Sequence, residues 1–263
     1  MSPPMADDEV RCLGGSRIYG SARRLVGGSR RAVAFTGAGV STASGVSDFR
    51  SPGGIWSRYR PVTIQEFLAS EDARRRYWRY KKETYAEFAG ARPNAAHRAL
   101  ARLETQGRLL GVITQNIDGL HQDAGSQRVL ELHGTNRRVE CLACRRSYPA
   151  AEIQERLTAG CAVPLCDSCG GPLKPATVSF GQSLPADVLD AAFELARTAD
   201  LLLVLGSSLV VHPAAAIPEA AARAGVPILI VNREPTPLDR LAVVALRGAV
   251  EEILPAVLDD DAV

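Results

Sequence analysis

The sequence predicts an α/β fold: a Rossmann-like parallel-sheet domain with a smaller inserted domain that combines helices with a zinc ribbon. Three observations predict this arrangement. Short, continuously apolar runs alternate with stretches of helical spacing, as expected for parallel strands that are covered on both faces. The first run ends in a glycine-rich turn, and two Cys-x-x-Cys pairs follow far downstream. A chain of 263 residues is long enough for one large domain with an insertion.

Four apolar runs, each short and rich in leucine or β-branched residues, are the predicted strands. They are Ala32 to Phe35, Leu109 to Thr114, Asp200 to Leu205 and Pro227 to Val231. The helices expected between and after them are Ala95 to Gln106, Ala186 to Thr198, Pro213 to Ala224 and Ala249 to Leu258. Asn94 precedes the first of these helices, where its side chain can cap the free backbone amides.

Two segments of different composition interrupt the strand and helix pattern, so both predicted domains are discontinuous. The Rossmann-like domain comprises residues 31–51, 93–140 and 175–258. The smaller domain comprises residues 52–92, with a long helix from Glu71 to Phe88, and residues 141–174, which hold the cysteine pairs. We expect a ligand to bind in the cleft between the two domains.

The composition is that of an ordinary globular protein, with 46% hydrophobic and 23% charged residues. The 31 basic residues are offset by 29 acidic ones, so we expect no specific nucleic-acid partner. No apolar run approaches the ~20 residues that span a bilayer. Residues 1–30 lack the apolar core of a signal peptide, and we interpret them as a partly flexible arm with a short helix from Ser21 to Leu25. We interpret residues 259–263 as an acidic tail. For the whole protein, we expect a cytoplasmic monomer that does not bind membranes.

Four cysteines have the spacing of a structural zinc site. They are Cys141, Cys144, Cys166 and Cys169, two Cys-x-x-Cys pairs with 21 residues between them. Four thiolates complete the tetrahedral shell of Zn²⁺ and leave no position for water, so the metal would be structural. The alternative is a pair of disulfides, which a reducing compartment disfavours. Cys12 and Cys161 remain as free thiols.

The glycine-rich turn after the first strand is suited to a phosphate group. Gly37 and Gly39 would let the backbone approach a pyrophosphate, whose charge is favoured by the amides at a helix N-terminus. The dinucleotide fingerprint G-x-G-x-x-G is incomplete, because Thr42 stands in place of the third glycine. The turn alone is therefore weak evidence for a phosphate site, and the residues that follow it must be considered.

The triplet Asp48-Phe49-Arg50 strengthens that evidence, since an acid, an aromatic ring and a guanidinium beside a phosphate loop indicate chemistry rather than packing. An ordinary dehydrogenase would carry an acidic residue ~20 positions after the glycines to hold a ribose. Residues 57–60 occupy that region and contain no carboxylate. The dehydrogenase interpretation is therefore disfavoured.

Further blocks follow in a fixed order. They are Thr114-Gln115-Asn116-Ile117-Asp118, Glu131-Leu132-His133-Gly134, Phe180-Gly181, Gly206-Ser207-Ser208 and Asn232. Together with the glycine-rich loop and the cysteine pairs, these blocks resemble the sirtuins of bacterial type, which are NAD-dependent protein deacylases. The resemblance covers roughly Arg31 to Leu258. It implies NAD as a co-substrate, one structural zinc ion and an acylated lysine in a protein as the substrate.

In the reaction that the resemblance implies, the acyl-lysine oxygen attacks C1′ of the ribose as nicotinamide leaves. His133 then activates the ribose hydroxyls, because imidazole titrates near neutrality and can take and return a proton. The 2′-oxygen attacks the alkylimidate, and water releases lysine and 2′-O-acyl-ADP-ribose. The resemblance assigns Gln115 and Asn116 to the nicotinamide ribose and a catalytic water, and Asp118 to the nicotinamide carboxamide.

The resemblance also implies the two sets of binding residues. Those expected to contact NAD are Gly37, Ala38, Gly39, Ser41, Asp48, Phe49, Arg50, Gln115, Asn116, Asp118, Gly206, Ser207, Ser208, Asn232 and Ala249. Those expected to contact the acylated peptide are Phe49, Ile117, Val178, Phe180, Gly181, Leu209 and Val210. The peptide would enter as an added strand between two exposed backbone edges.

Two positions depart from the family pattern. Ser47 stands where a proline commonly precedes the Asp-Phe-Arg triplet, so we expect a less pre-organised loop. Enzymes that prefer succinyl or malonyl groups carry Tyr-x-x-Arg in the inserted helix, and we align Trp78 and Lys81 with that motif, with Tyr77 and Tyr80 beside them. A point charge replaces the forked guanidinium, so we expect a preference for acetyl-lysine.

Two other functions are compatible with these motifs. A sirtuin-like mono-ADP-ribosyltransferase shares the first chemical step, but the loss of the catalytic histidine would favour it, and His133 is present. A zinc-ribbon binding module would predict a basic, aromatic ribbon, in which Tyr148 is the only nearby aromatic residue. Of the other histidines, His97 and His121 resemble positions that support the fold, and His212 could line the cleft.

Overall fold

The computed structural model describes residues 7–48 and 54–258, with side chains of the first helix described from Arg17 onward. Its helices are α1 (Asp7–Gly28), α2 (Ile55–Arg58), α3 (Ile64–Ala69), α4 (Glu71–Gly90), α5 (Ala95–Thr105), α6 (Leu120–Asp123), α7 (Ala150–Thr158), α8 (Ala186–Arg197), α9 (Ala216–Arg223) and α10 (Val250–Leu258). Its strands are β1 (Ala32–Thr36), β2 (Leu109–Thr114), β3 (Val129–Glu131), β4 (Gly134–Cys141), β5 (Ser147–Pro149), β6 (Leu173–Thr177), β7 (Leu201–Leu205), β8 (Ile228–Asn232) and β9 (Val244–Arg247). The predictions for Phe49, Arg50 and the acidic tail lie outside the described residues.

Six strands form one sheet in the order β3-β2-β1-β7-β8-β9, and every neighbouring pair is parallel. The chain builds the sheet outward from β1 in one direction with β2 and β3, and in the other direction with β7, β8 and β9. The strand order therefore reverses between β1 and β7. In open α/β sheets this reversal opens a crevice at the carboxyl ends of the strands, where ligands bind.

The central strand β7 shows why the sheet is buried on both faces. Leu201, Leu203 and Leu205 pack into one apolar cluster, together with residues of α1, α5 and α10. Leu202 and Val204 point to the opposite face and pack with residues of α8 and α9. Helices thus cover both faces, and all five residues of the strand are fully buried. The continuous apolar run correctly predicts this environment.

A second, smaller sheet has three antiparallel strands in the order β5-β4-β6. Its own apolar cluster joins the sheet to α3, α4 and α7. The buried members are Phe67, Tyr77, Trp78, Val139, Cys141, Tyr148, Ile153, Leu157, Cys166 and Leu173. The α/β fold class with a smaller helical and cysteine-bearing unit is therefore confirmed.

The structure adds elements and corrects one. All four predicted strands are present, and the helix after Asn94 begins with the expected cap, since the Asn94 side chain accepts a bond from the Ala96 amide. The edge strands β3 and β9 are additional, because runs of three and four residues are too short to stand out. The expected short helix from Ser21 to Leu25 is instead the 22-residue α1, with Ala22 and Val26 buried in the core. No helix among the described residues is long and apolar enough to cross a membrane.

Candidate active site

A cleft of 690 Å³ lies at the carboxyl ends of four sheet strands. Gly37 follows β1, Gln115 follows β2, Gly206 follows β7, and Asn232 ends β8, and all four residues line it. Its opposite wall comes from the segment around α2 and α4 and from residues after β6. The cleft therefore occupies the crevice where the strand order reverses, with a volume typical of a small-molecule site.

Most of the described residues that the sequence assigns to the site line this cleft. They are Gly37, Ala38, Gly39, Asp48, Gln115, Asn116, Ile117, His133, Val178, Phe180, Gly181, Gly206, Ser207, Ser208 and Asn232. Five others lie behind or beside the lining, namely Ser41, Asp118, Leu209, Val210 and Ala249. Ser41 and Asp118 are buried beneath the lining, whereas Val210 is exposed. Ala249 lies between two residues that line it, Gly248 and Val250.

Three glycines interlock at the base of the cleft. A Cβ atom on Gly37 would lie 2.7 Å from Gly206 O, and one on Gly39 would lie 2.8 Å from Gly206 Cα. Gly206 has φ +59, and its own Cβ would lie 2.5 Å from Val40 N. The Gly39 amide donates to Gly206 O at 2.9 Å. The loops after β1 and β7 therefore meet backbone to backbone, which only glycine permits.

The amides of Gln115 and Asn116 connect these loops to β2. Gln115 Nε2 donates to Ser207 Oγ at 2.8 Å, and Asn116 Nδ2 donates to Gly37 O and to Ser41 Oγ, each at 3.1 Å. Both N–H groups of the Asn116 side-chain amide are thus bonded within the protein. The orientation of the amide leaves Asn116 Oδ1 as the acceptor available to a ligand.

His133 is held in one tautomer by a backbone contact. Its Nδ1 lies 2.8 Å from Gln115 O, and a carbonyl oxygen can only accept, so Nδ1 must carry the proton. Nε2 of the neutral ring then carries the lone pair. The ring is partly exposed and lines the cleft. In the neutral tautomer that this contact selects, Nε2 is therefore the atom of His133 that can act as a base.

A directed hydrogen-bond chain beneath the cleft fixes these groups. The backbone N–H of Asn94 donates to His97 Nδ1 at 3.4 Å, so the proton of the neutral His97 ring is on Nε2. His97 Nε2 lies 3.5 Å from Ser41 Oγ. Ser41 Oγ accepts from Asn116 and donates to Asp118 Oδ2 at 2.7 Å. Burial raises the pKa of Asp118, while the bonds from the Leu120 amide and Ser41 oppose that rise. Sequence reasoning gives His97 only a general role in the fold, because its contact with Ser41 joins residues 56 positions apart.

His121 completes the buried layer. Its Nε2 lies 3.0 Å from Thr36 Oγ1, which donates to Thr114 Oγ1 at 2.8 Å, so His121 Nε2 is the donor. The rings of His97 and His121 are 4.8 Å apart. Burial lowers the pKa of His97 to about 4, helped by Arg98, and lowers the pKa of His121 to about 3, helped by His97. Both imidazoles are therefore neutral in the folded protein near pH 7.

The backbone amide of Ser47 makes a contact that the usual proline could not make. This amide donates to the Glu87 carboxylate on α4, and Glu87 also lies 3.8 Å from Arg58. A proline at this position would have no N–H to donate. The bond holds Ser47 itself to α4, which a proline at this position could not do.

The four predicted metal ligands meet in one cluster at the smaller sheet. The sulfur atoms of Cys141, Cys144, Cys166 and Cys169 all lie within 4.8 Å of one another. The Sγ–Sγ distances are 3.5 Å for Cys141 and Cys169 and 3.6 Å for Cys144 and Cys166, close to the ~3.8 Å of a tetrahedral Zn–thiolate site. The Tyr148 hydroxyl lies 3.2 Å from Cys166 Sγ, where it can donate to a thiolate. These residues fit a structural zinc ion.

Comparison with known proteins decides the family. A model described as "Sir2 family" matches residues 37–213. The "NAD-dependent protein deacetylase" of Thermodesulfovibrio yellowstonii is 44% identical over 235 residues, 89% of this chain and 92% of the relative. The "NAD-dependent protein deacylase 2" of Pyrobaculum aerophilum is 44% identical over 240 residues, 90% of this chain and 93% of the relative. The chain belongs to the Sir2 family.

Solved Sir2 structures have the same fold. One described as "Sir2-p53 peptide-NAD+" superposes with a TM-score of 0.83 at 41% identity, covering 89% of this chain and 95% of its own. Another, described as "Sir2 bound to acetylated peptide", has a TM-score of 0.81 at 39% identity and covers 89% and 94%. The cleft of this Sir2 chain fits NAD, because it combines the interlocked glycine loops with the acceptor Asn116 Oδ1 and with Asn232 at the end of β8.

The Sir2 cleft supports one half of the α4 alignment, which pairs Trp78 and Lys81 with the acyl-selecting motif, and does not support the other half. Tyr77, Tyr80 and Lys81 line it, whereas Trp78 packs into the core of the smaller unit. Lys81 Nζ donates to Asn136 Oδ1 at 3.0 Å and lies 5.1 Å from the centre of the Tyr80 ring. Burial lowers the pKa of Lys81 to about 7, and Lys174 adds to this effect. The burial of Trp78 fixes the rotation of α4 about its axis. That rotation determines which α4 side chains reach the cleft.

We predict that the buried histidines make the protein less stable as the pH falls below 6.5. Unfolded His97 and His121 take up protons near pH 6.5, while the folded residues stay neutral to about pH 4. The unfolded state then binds more protons, so the free energy of unfolding should fall by about 2–3 kcal/mol between pH 6.5 and 5. Urea titrations at several pH values measure it. A pH-independent free energy over this range, or an equal slope in His97→Gln, would contradict the prediction.

We predict that zinc is required for the fold of the smaller unit. Cys166→Ser should lose the metal and destabilise the cluster of β4, β5 and α7, because metal binding is coupled to local folding. Metal content and circular dichroism measure both effects. Cys161→Ser is the matched control, since Cys161 is an exposed thiol outside the cluster. A zinc-free Cys166→Ser protein with unchanged stability would exclude a structural role.

Proposed function

We propose that this chain is an NAD-dependent protein-lysine deacylase that acts as a deacetylase. It transfers the acyl group from lysine to ADP-ribose and releases nicotinamide and 2′-O-acyl-ADP-ribose. The observation that carries the proposal is the bond between His133 Nδ1 and Gln115 O, because it presents a basic Nε2 to the cleft. The names of the related deacetylases and deacylases support the reaction class.

In the proposed mechanism, His133 removes a proton from the ribose hydroxyls after nicotinamide has left. Asn116 accepts from a ribose hydroxyl or from the catalytic water through Oδ1, since its Nδ2 is occupied by Gly37 O and Ser41 Oγ. Gln115 is positioned by Ser207. We propose a supporting role for Asp118, which lies behind the lining and holds Ser41, rather than direct contact with the carboxamide.

The acylated peptide would enter between the segments after β6 and β7. The Val178 amide donates to His133 O at 2.9 Å, which places this segment beside the base. Phe180 and Val210 are large apolar residues that are 45% and 52% exposed, and their burial would favour peptide binding. The lysine methylenes would pass Ile117 and Val178 on the way to the cleft. We further propose a cytoplasmic location, because a thiolate zinc cluster suits a reducing compartment.

Product analysis tests the proposal directly. Mass spectrometry of a reaction with NAD and acetyl-lysine peptide should detect deacetylated peptide, nicotinamide and acyl-ADP-ribose in equal amounts. His133→Ala should retain the fold and NAD binding but lower kcat by at least about 100-fold, the scale of general base catalysis. His212→Ala is a control for loss of an exposed cleft histidine. ADP-ribosylated peptide as the main product, or an active His133→Ala enzyme, would contradict the proposal.

We predict that acetyl-lysine is preferred to succinyl-lysine at pH 8, with kcat/KM higher by about tenfold, or about 1.4 kcal/mol. Lys81 is largely neutral at that pH because burial lowers its pKa to about 7, so it cannot fully compensate a succinyl carboxylate. Lys81 gains charge as the pH falls to 6, and the succinyl-to-acetyl ratio should rise severalfold.

Peptides of one sequence, compared on the same enzyme at both pH values, give this ratio. Lys81→Met should abolish its pH dependence, while Lys82→Met should not, because Lys82 bonds Leu157 O away from the cleft. A ratio that stays constant with pH in the unmodified enzyme would show that Lys81 does not face the acyl group.

A further inference from the structure

A second concavity, of 540 Å³, lies beside the cleft between α4 and the residues that end α7. Its α4 wall carries Asp72, Arg75, Arg76, Trp78, Arg79 and Lys82. The opposite wall is formed by Leu157, Gly160, Cys161 and Ala162. Four cationic side chains therefore face one carboxylate, and we call this concavity the basic pocket.

The cations of the basic pocket are only partly neutralised by the protein. Arg75 pairs with Glu71 at 2.5 Å, and Lys82 Nζ donates to Leu157 O at 2.8 Å. Arg79 is exposed and has no hydrogen-bond or ion-pair partner in the described part of the chain. Arg76 acts on Glu66 only at longer range, where it helps to lower the pKa of that carboxyl. The pocket thus retains an excess of positive charge that an anionic ligand would offset.

The basic pocket is continuous with the cleft. Arg76 lines both, and it lies one residue before Tyr77, which lines the cleft wall. A polypeptide that leaves the cleft across Arg76 therefore runs directly into the pocket. Continuity with the proposed peptide path favours a segment of the substrate chain over an unrelated ligand.

The spacing of the cations matches an extended chain. Arg75, Arg79 and Lys82 follow one face of α4 at intervals of three or four residues, which corresponds to about 4.5–6 Å along the helix. Alternate residues of an extended peptide lie about 6.6 Å apart and point the same way. Carboxylates on alternate residues could therefore meet successive turns of α4. Guanidinium groups bind carboxylates in a bidentate manner, which suits Arg75 and Arg79.

We propose that the basic pocket binds an acidic stretch of the acylated protein substrate, with carboxylates on alternate residues to one side of the acyl-lysine. The inference rests on the proposed deacylase function and adds a determinant of substrate choice to it. Because the pocket is open to solvent, salt screens its charges, and its contribution to substrate affinity decreases as the ionic strength rises.

The test uses three acetyl-lysine peptides with NAD. One has a neutral flank, and the others carry glutamates at alternate positions from three to seven residues before or after the acetyl-lysine. One acidic peptide should show kcat/KM at least about fivefold above the neutral peptide at low salt, mainly through KM, and the advantage should shrink at ~0.5 M NaCl. Equal kcat/KM for all three peptides would overturn the inference.

The double variant Arg75→Gln/Arg79→Gln locates the effect. It should reduce the acidic-to-neutral ratio to about one, because it removes two guanidinium partners. The matched control is Arg98→Gln/Arg102→Gln, two exposed arginines that are also four residues apart, on α5. A ratio that persists in the α4 variant would place the acidic flank elsewhere and overturn the proposal. Turnover of the neutral peptide tests the deacylase function by itself, whereas the acidic-to-neutral ratio tests the basic pocket. Failure of one proposal can therefore be told from failure of the other.

Discussion

The contact between the loops after β1 and β7 is the constraint on which the site depends. Gly37 and Gly39 approach Gly206 so closely that none of the three positions has room for a Cβ atom. The contact brings Gly37 O within reach of Asn116 and Ser207 within reach of Gln115. The parallel sheet brings the ends of its strands together, and the glycines remove the side chains that would fill the space between them.

Beneath that contact, a layer of buried polar groups fixes the orientation of the Asn116 side chain. His97 and Asn116 both donate to Ser41 Oγ, which leaves the serine proton for Asp118. Each bond has one possible direction, so the orientation of the Asn116 amide follows from the positions of its neighbours. Burial also keeps both histidines of this layer neutral, because desolvation disfavours the charged imidazolium and lowers their pKa values. The cost is sensitivity to acid, because those histidines must gain protons when the protein unfolds.

Sequence reasoning found the features that are local in the chain. The glycine loop, the cysteine pairs and His133 are recognisable because their chemistry lies within a few consecutive residues. The buried strands were also predictable, since full burial leaves a continuous apolar run. The role of His97 was not, because its contact with Ser41 joins residues 56 positions apart. The alignment of α4 was right in placing Lys81 at the cleft but wrong in placing Trp78 there. Trp78 packs into the smaller unit, and that packing could not be read from the sequence.

The affinity of Gly37→Ala for NAD tests the central claim most directly. Gly37 has φ −128, which alanine adopts without strain, so the substitution changes only the space between the two loops. Calorimetry should show NAD binding weakened by at least about tenfold, with the circular dichroism of the sheet retained. Gly27→Ala is the control, because no atom beyond the local backbone of its own helix lies within 4 Å of the added Cβ, and it should bind NAD normally. Unchanged NAD affinity in a folded Gly37→Ala protein would show that the site does not depend on this contact.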